Sequence, residues 1–270
     1  MINGIFAIDA HCHIYPENIA QKATGGTDGF YGLHSVYNGT AADLIKNGVA
    51  AGIDHFIVQS VATTPKQVKS INDFVAKSVK ESDGRFTGLG TLHPDSTDIK
   101  GDIEYLLELG LKGVKLHPDI QRFKIDDYRC LKIYERCEEK KIPILMHTGD
   151  YRYDYSNPNR MLPVLKIYEF LTVVGAHMGG WSVWDEAVEK LSDIKNFYVD
   201  CSSTFAFLEP SRVKEIIRRY GADKVLFGTD YPMWSIKKEM EYFLSLSLDE
   251  DEIMSILNIN AKKVFNLEVN

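Results

Sequence analysis

Eight short apolar runs recur along the chain, and turn-forming residues bound each of them. Runs of this kind are typical of parallel strands that are buried on both faces. After the first interval, their midpoints lie roughly 25–31 residues apart, which is the span of one strand–helix unit. The predicted strands are Ile5–Ala10, His55–Val61, Phe86–Thr91, Gly113–Leu116, Ile144–Met146, Val173–Ala176, Phe197–Asp200 and Val225–Phe227.

Stretches with the apolar period of amphipathic helices follow these strands. The predicted helices are Thr40–Ala51, Pro65–Ser82, Ile99–Leu109, Tyr128–Lys140, Asn159–Phe170, Val183–Leu191, Pro210–Tyr220 and Ile236–Leu244. An open doubly wound sheet also alternates strands and helices, but it usually has fewer strands. Eight strands, each followed by a helix, therefore predict an α/β fold of the (β/α)8 or TIM-barrel type.

The pattern contains no linker, charge block or repeat, so residues 1–270 are predicted to form a single domain. The connection 14–39 is rich in glycine and aromatic residues and shows no clear period. A structureless loop of this length predicts a lid or binding loop over the barrel, with a surface loop carrying its own aromatic cluster as the alternative. The tail 249–267 predicts helices on the barrel exterior.

Composition narrows the class of protein. Hydrophobic residues make up 44% of the 270 positions and the net charge is −7, which is ordinary for a globular domain and offers no basic surface for nucleic acid. The four cysteines form no CxxC pair, which favours reduced thiols over a disulfide framework. The chain shows neither a signal-peptide pattern nor an apolar run long enough for a membrane helix. We therefore expect a soluble, cytoplasmic protein with a small-molecule substrate and no membrane or nucleic-acid partner.

Residues that can bind a metal ion lie where the predicted strands end. Side chains alternate along a strand, so His11 and His13 point the same way while Cys12 points away. All strands of a barrel end on one face, where active sites lie, and several unpaired buried imidazoles there would be costly. Imidazoles with a carboxylate are the ligands of catalytic zinc. The pattern therefore predicts a metal site at this face, formed among His11, His13, His117, His147, His177 and Asp230.

The motifs at these strand ends resemble the amidohydrolase superfamily, in particular amidohydrolase family 2, the branch of aminocarboxymuconate-semialdehyde decarboxylase-like proteins. An HxH motif alone is weak evidence, but three later strand-end motifs in barrel order make the resemblance specific, and it extends over essentially the whole chain. The segments that carry it are 9–13 (DAHCH), 146–147 (MH), 175–180 (GAHMGG), 228–232 (GTDYP) and 256–267.

The resemblance implies a role for each site residue. It implies that His11, His13, His147 and Asp230 bind the metal and that His177 and Asp230 act in catalysis. Zn²⁺ is the expected ion, Mn²⁺ and Fe²⁺ are alternatives, and one ion is favoured over two. In members with two metals a carbamylated lysine often closes the fourth strand, so Lys115 and His117 are candidates for a second metal or for substrate. An unmodified Lys115 is favoured.

Two reactions fit this site. The favoured hypothesis is a metal-dependent hydrolase in which a metal-activated water attacks the carbonyl of an amide, lactone or related bond. The alternative is decarboxylation of a small unsaturated or aromatic acid, with Arg122 or Arg152 binding the substrate carboxylate and Trp181, Tyr151, Tyr153 or Trp234 stacking on the ring. A non-catalytic metal-binding protein is disfavoured because Asp230 completes the site. A homodimer is an expectation from the resemblance alone.

Overall fold

A computed structural model describes residue 2 and residues 4–269, so the ends of the predicted domain at 1 and 270 lie outside the described residues. The described residues form nine short strands, one or two for each predicted strand. They are β1 (Ile8–His13), β2 (His55–Gln59), β3 (Phe86–Gly88), β4 (Gly90–Thr91), β5 (Val114–Leu116), β6 (Ile144–Met146), β7 (Val173–Gly175), β8 (Phe197–Asp200) and β9 (Val225–Leu226).

The strands close into a parallel barrel. β1 pairs with β2 and β2 with β3, while β4 to β9 pair in chain order. β3 and β4 occupy a single position in the barrel, because Leu89 N donates to Val58 O and Gly90 N donates to Gly113 O, both at 2.9 Å. Bonds from Ala10 N to Phe227 O (2.8 Å) and from His13 N to Tyr231 O (2.7 Å) then join the last strand to the first. The predicted TIM barrel is confirmed.

The helices surround this barrel, and the predicted ones are present with shifts of a few residues. They are α2 (Ala41–Ala50), α3 (Val68–Glu81), α4 (Ile99–Glu108), α6 (Leu131–Lys140), α7 (Pro158–Ile167), α8 (Trp184–Leu191), α9 (Pro210–Tyr220) and α10 (Ile236–Ser245). The short α5 (Pro118–Gln121) was not predicted. The tail is helical as expected, with α11 (Glu250–Met254), a π-helical turn (Ser255–Ile259) and α12 (Asn260–Phe265).

The first connection differs from its prediction. Residues 14–39 do not form a structureless loop, because α1 (Glu17–Tyr31) occupies most of them. Glycines lower helix propensity by about 1 kcal/mol each, which is why the sequence favoured a loop. Contacts with the barrel offset this cost, since Arg152 donates to the Phe30 carbonyl oxygen at 2.8 Å and Tyr31 reaches the strand ends. Gly32, with φ 67°, ends the helix in the left-handed conformation that glycine tolerates best.

Two layers of apolar side chains hold the barrel together. The inner layer fills the barrel with small and branched residues such as Ile8, Ala10 and Val174. The larger outer layer packs the strands against the helices and includes Cys12. Burial of one such aliphatic side chain stabilises the fold by about 1.5–3 kcal/mol. A slip of β1 by one residue would move its side chains to the opposite face of the sheet, so this burial helps to fix the register of β1. The four cysteines are buried and free. Among the described residues, no helix has the length and apolarity needed to cross a bilayer.

Candidate metal centre

Three predicted ligands converge at the carboxyl end of the barrel. His11 and His13 lie on the same side of β1, with their Nε2 atoms 3.2 Å apart. Asp230, in the loop after β9, places its Oδ1 atom 3.4 Å from His11 Nε2 and 3.6 Å from His13 Nε2. Two imidazole nitrogens and a carboxylate oxygen at this spacing form a group that can hold a metal ion.

A second carboxylate fixes the orientation of His11. Asp200, at the end of β8, lies with Oδ2 2.9 Å from His11 Nδ1 and accepts a hydrogen bond from the His177 backbone N–H at 3.1 Å. Burial alone would raise the pKa of Asp200, but the imidazoles of His11 and His177 hold this pKa below its usual range. The ionised carboxylate therefore keeps the proton of His11 on Nδ1 and leaves Nε2 free for a metal, which is the usual carboxylate–histidine–metal arrangement.

Backbone carbonyls fix two further histidines in the same way. His177 Nδ1 lies 3.0 Å from Ser202 O, and His147 Nε2 lies 3.0 Å from Gly149 O. A carbonyl oxygen only accepts, so these ring nitrogens carry the hydrogens. The opposite nitrogens, His177 Nε2 and His147 Nδ1, then face each other 3.1 Å apart. Two lone pairs at this distance repel each other unless a proton or a cation lies between them.

Burial keeps these rings in the form that binds metal. It lowers the pKa of His177 to about 4 and holds the pKa of His13 and of His147 well below the usual value for histidine. Neutral imidazole is the form that coordinates a metal. The centre therefore offers uncharged nitrogen ligands at neutral pH.

Asp230 is held tightly beside the histidines. Its Oδ2 accepts from Ser203 Oγ at 2.5 Å, and Ser203 Oγ accepts in turn from Trp234 Nε1 at 2.7 Å. Burial would raise the pKa of Asp230, but the neighbouring His11, His177 and His13 rings keep it below its usual range. Asp230 and His177 have φ values of 55° and 59°, in the left-handed region that non-glycine residues rarely adopt. Such strain is often concentrated at functional sites.

Lys115 and His117 take different positions. Lys115 is fully buried, with Nζ 3.1 Å from His11 Nε2, and burial lowers its pKa to about 8. His117 lies one step away from the centre, with its ring stacked on that of His147 at a centroid distance of 4.0 Å. The structure therefore brings Lys115 to the group of His11, His13 and Asp230, whereas His117 and His147 form a second group with Asp119.

The two arginines differ in their surroundings. A cavity of about 610 Å³ opens over the centre, and Arg122 and Trp181 line it. The backbone N–H of Arg122 donates to Pro118 O, but its side chain has no hydrogen bond or ion pair with any residue that the structure describes. Arg152 is bound to Asp150, with Nε–Oδ1 at 3.0 Å and Nη2–Oδ2 at 2.7 Å, and it lies over the rings of neighbouring aromatic residues. Only Arg122 is therefore placed to bind a ligand anion.

Sequence reasoning missed several residues of this site. Asp200 closes a predicted strand, so the rule that found the histidines also applied to it. Ser202 and Ser203 follow the same strand and gave no distinct signal. Asp119 is buried with Oδ1 lacking a partner among the described residues, and Tyr31 reaches the site from a helix that the pattern did not predict.

A parallel barrel with a histidine–carboxylate centre at its strand ends defines the class of metal-dependent barrel enzymes. The family model described as Amidohydrolase (Amidohydro_2) matches residues 8–267. The chain belongs to this family and is an enzyme of it, so the resemblance seen in the strand-end motifs is confirmed.

Two curated proteins of named activity are similar to parts of this chain. The chain is 31% identical over 97 residues to a 2-amino-3-carboxymuconate-6-semialdehyde decarboxylase of Dictyostelium discoideum, a match that covers 35% of this chain and 27% of the relative. The matched segments span about a quarter of the length of the curated relatives, 27% and 22%.

Solved structures match nearly the whole chain. An uncharacterised TIM-barrel protein from Bordetella bronchiseptica superposes with a TM-score of 0.81 at 23% identity, covering 97% of this chain and 99% of the other. A 5-carboxyvanillate decarboxylase from Novosphingobium aromaticivorans, complexed with manganese and 4-hydroxy-3-methoxy-5-nitrobenzoic acid, has a TM-score of 0.75 at 17% identity, with 98% and 97% covered. These likenesses show the barrel fold.

The comparisons correct the predicted reaction. The hydrolase hypothesis is wrong, because both curated relatives are named as decarboxylases, and so are several of the structural neighbours. They favour the alternative that the sequence left open. Zinc in particular stays a prediction, since a related structure carries manganese.

Proposed function

We propose that the protein is a metal-dependent decarboxylase of a small planar carboxylic acid. The observation that carries the proposal is the free guanidinium of Arg122 on the wall of the cavity that also contains His11, His13 and Asp230. An arginine without a protein partner can bind a carboxylate through two parallel hydrogen bonds. The names of the relatives support the same reaction.

His11, His13 and Asp230 would hold the ion, with His147 as a further ligand. A bound divalent cation supplies positive charge that orients acidic oxygens of the substrate and stabilises negative charge formed on it. Asp200 keeps the free nitrogen of His11 directed at this position. We propose one ion per chain, Zn²⁺ with Mn²⁺ or Fe²⁺ as alternatives, and elemental analysis of the purified protein tests both identity and number.

His177 is placed to move the proton that the reaction needs. When the bond to the carboxyl carbon breaks, its electron pair stays on the substrate carbon, which must then take up a proton. His177 Nδ1 is occupied by Ser202 O, so Nε2 is the atom that can take a proton from water and pass it to the substrate carbon as CO₂ leaves. Phe30 and Tyr31 of α1, with Trp181 and Trp234, line the cavity and reduce the access of water. We propose that α1 is the lid expected between β1 and the following helix.

Release of CO₂ tests the proposal. Zinc- and manganese-loaded protein is incubated with 2,6-dihydroxybenzoate, 5-carboxyvanillate and 2-amino-3-carboxymuconate-6-semialdehyde, and the CO₂ is measured. We expect metal-dependent release from at least one acid. Arg122→Met should raise KM about tenfold, because it removes the hydrogen bond between the guanidinium and the substrate carboxylate. The effect is modest because the Arg122 side chain is exposed to water. Lys124→Met is the matched control, since this exposed lysine does not line the cavity.

Two results would count against the proposal. Fully metal-loaded protein that releases no CO₂ from any of these acids argues against a decarboxylase of planar acids. Equal KM values for Arg122→Met and the wild type would remove the role of Arg122 even if decarboxylation occurs.

A further inference from the structure

His117 is a strand-end histidine that the metal centre does not use. It lies at the N-terminus of α5, where its Nδ1 accepts a hydrogen bond from the Ile120 backbone N–H at 3.3 Å. A backbone N–H can only donate, so Nδ1 must carry the lone pair and a neutral ring must carry its hydrogen on Nε2. A ring whose Nδ1 accepts a hydrogen bond is not doubly protonated, so His117 is neutral. Neither nitrogen is then free to bind a metal.

The hydrogen on His117 Nε2 is directed at Tyr31. The Tyr31 hydroxyl oxygen lies 2.8 Å from this nitrogen, so Tyr31 accepts the hydrogen bond. A phenol that accepts in this way still has its own hydrogen to donate. The other nearby group is His147 Nε2 at 3.5 Å, but this atom already donates to Gly149 O at 3.0 Å. Among the described residues, the hydroxyl hydrogen of Tyr31 therefore has no acceptor.

The side chain that carries this spare hydrogen lines the cavity. Tyr31 stands on the last turn of α1, and its ring packs edge-on against Trp181 at a centroid distance of 5.3 Å. Tyr31 and Arg122 both line the cavity over the centre. An oxygen of a ligand in the cavity is therefore the acceptor available to Tyr31.

We propose that Tyr31 is a substrate-binding residue that donates its hydroxyl hydrogen to an anionic oxygen of the acid, and that His117 is the positioning residue that sets this direction. The relay runs from the Ile120 N–H to His117 and from His117 to Tyr31. This proposal rests on the proposed function, because that function defines the ligand as a carboxylic acid. Of the two roles predicted for His117, binding of a second metal or of the substrate, the proposal assigns it to the substrate, through Tyr31.

Tyr31→Phe removes the hydroxyl and keeps the ring. His117→Asn keeps an acceptor for the Ile120 N–H, because asparagine is a good helix cap, but it cannot reproduce the donor at Nε2. Tyr155→Phe is the matched control: this ring packs on Tyr153, with centroids 6.3 Å apart, and it does not line the cavity. The probe is 4-hydroxy-3-methoxy-5-nitrobenzoic acid, which is titrated into zinc-loaded protein.

We expect wild-type protein to bind the probe and Tyr31→Phe to bind it about 10- to 100-fold more weakly, as for loss of a hydrogen bond to a charged group. His117→Asn should weaken binding less, and the double variant should bind no more weakly than Tyr31→Phe, because His117 acts through Tyr31. Tyr155→Phe should equal the wild type, and every variant should keep the wild-type metal content. Nitrogen-15 NMR should show the His117 ring with its hydrogen on Nε2, assigned by its loss in His117→Asn.

Each contrary result overturns the inference. These are an unbound probe, equal binding by Tyr31→Phe, additive losses in the double variant, a metal ion lost with His117→Asn, or a His117 hydrogen on Nδ1. Failure of the proposed function is a separate outcome, because it is read from CO₂ release and not from binding.

Discussion

Glu239 on α10 offers a quantitative test of how burial affects stability. The residue is 3% exposed, and its Oε2 atom has no hydrogen-bond partner among the described residues. Burial, with smaller contributions from Asp230 and Asp9, raises its pKa from 4.5 to about 8. The folded protein therefore keeps this carboxyl protonated at neutral pH, whereas the unfolded chain ionises it.

The magnitude follows from this difference. Between pH 4.5 and about 8 the native state binds a proton that the unfolded chain has released, so the free energy of unfolding falls as pH rises. One pKa unit corresponds to about 1.4 kcal/mol, which gives a loss of about 2.5 kcal/mol between pH 5 and pH 7. Glu239→Gln has nearly the same shape but does not titrate. Its stability relative to the wild type should therefore rise by about 2.5 kcal/mol over this interval.

Reversible urea unfolding at pH 5, 6 and 7, with chelator present to remove metal linkage, measures the difference. Glu241→Gln on the same helix is the matched control, because Glu241 is exposed and its one ion pair with a described residue is with Lys237. A stability difference between Glu239→Gln and the wild type that stays constant from pH 5 to pH 7 would refute the reasoning. A smaller slope with the same sign would mean that the buried carboxyl is partly solvated.

Two further predictions concern the centre and α1, the proposed lid. Asp200→Asn should weaken metal binding by about 10- to 100-fold, because His11 loses the acceptor that fixes its free nitrogen; chelator competition measures this, and unchanged affinity would contradict it. Gly26→Ala should stabilise α1 by about 0.5–1 kcal/mol, since the added Cβ meets no atom within 4 Å. Amide exchange over residues 17–31 should then slow, and faster exchange would show that the glycine is needed in the native helix.

The barrel and its functional face could be predicted from the sequence because both depend on short-range periodicity. Buried parallel strands require continuous apolar runs, and these located all eight strand positions within a few residues. The alternation of side chains along β1 correctly separated His11 and His13 from Cys12, which packs in the outer layer. Asp200 was missed although the same strand-end rule identified Asp230.

Tertiary structure decided what local pattern could not. α1 forms although it contains several glycines, which disfavour a helix. Its last turn is held by Arg152 and His117, and both residues lie far away in the sequence. The sequence does not distinguish Arg122 from Arg152 as binders of a carboxylate. In the folded protein Asp150 binds the guanidinium of Arg152, so Arg122 is the arginine left to bind a ligand.

The sequence by itself determined that the strand-end histidines and Asp230 meet at the carboxyl end of the barrel, because chain direction and strand period settle that. Which nitrogen of each histidine faces the centre was decided only by the folded structure. A ring tautomer depends on one acceptor or donor placed within about 3 Å, such as Asp200 for His11 or the Ile120 N–H for His117, and the fold alone sets that distance.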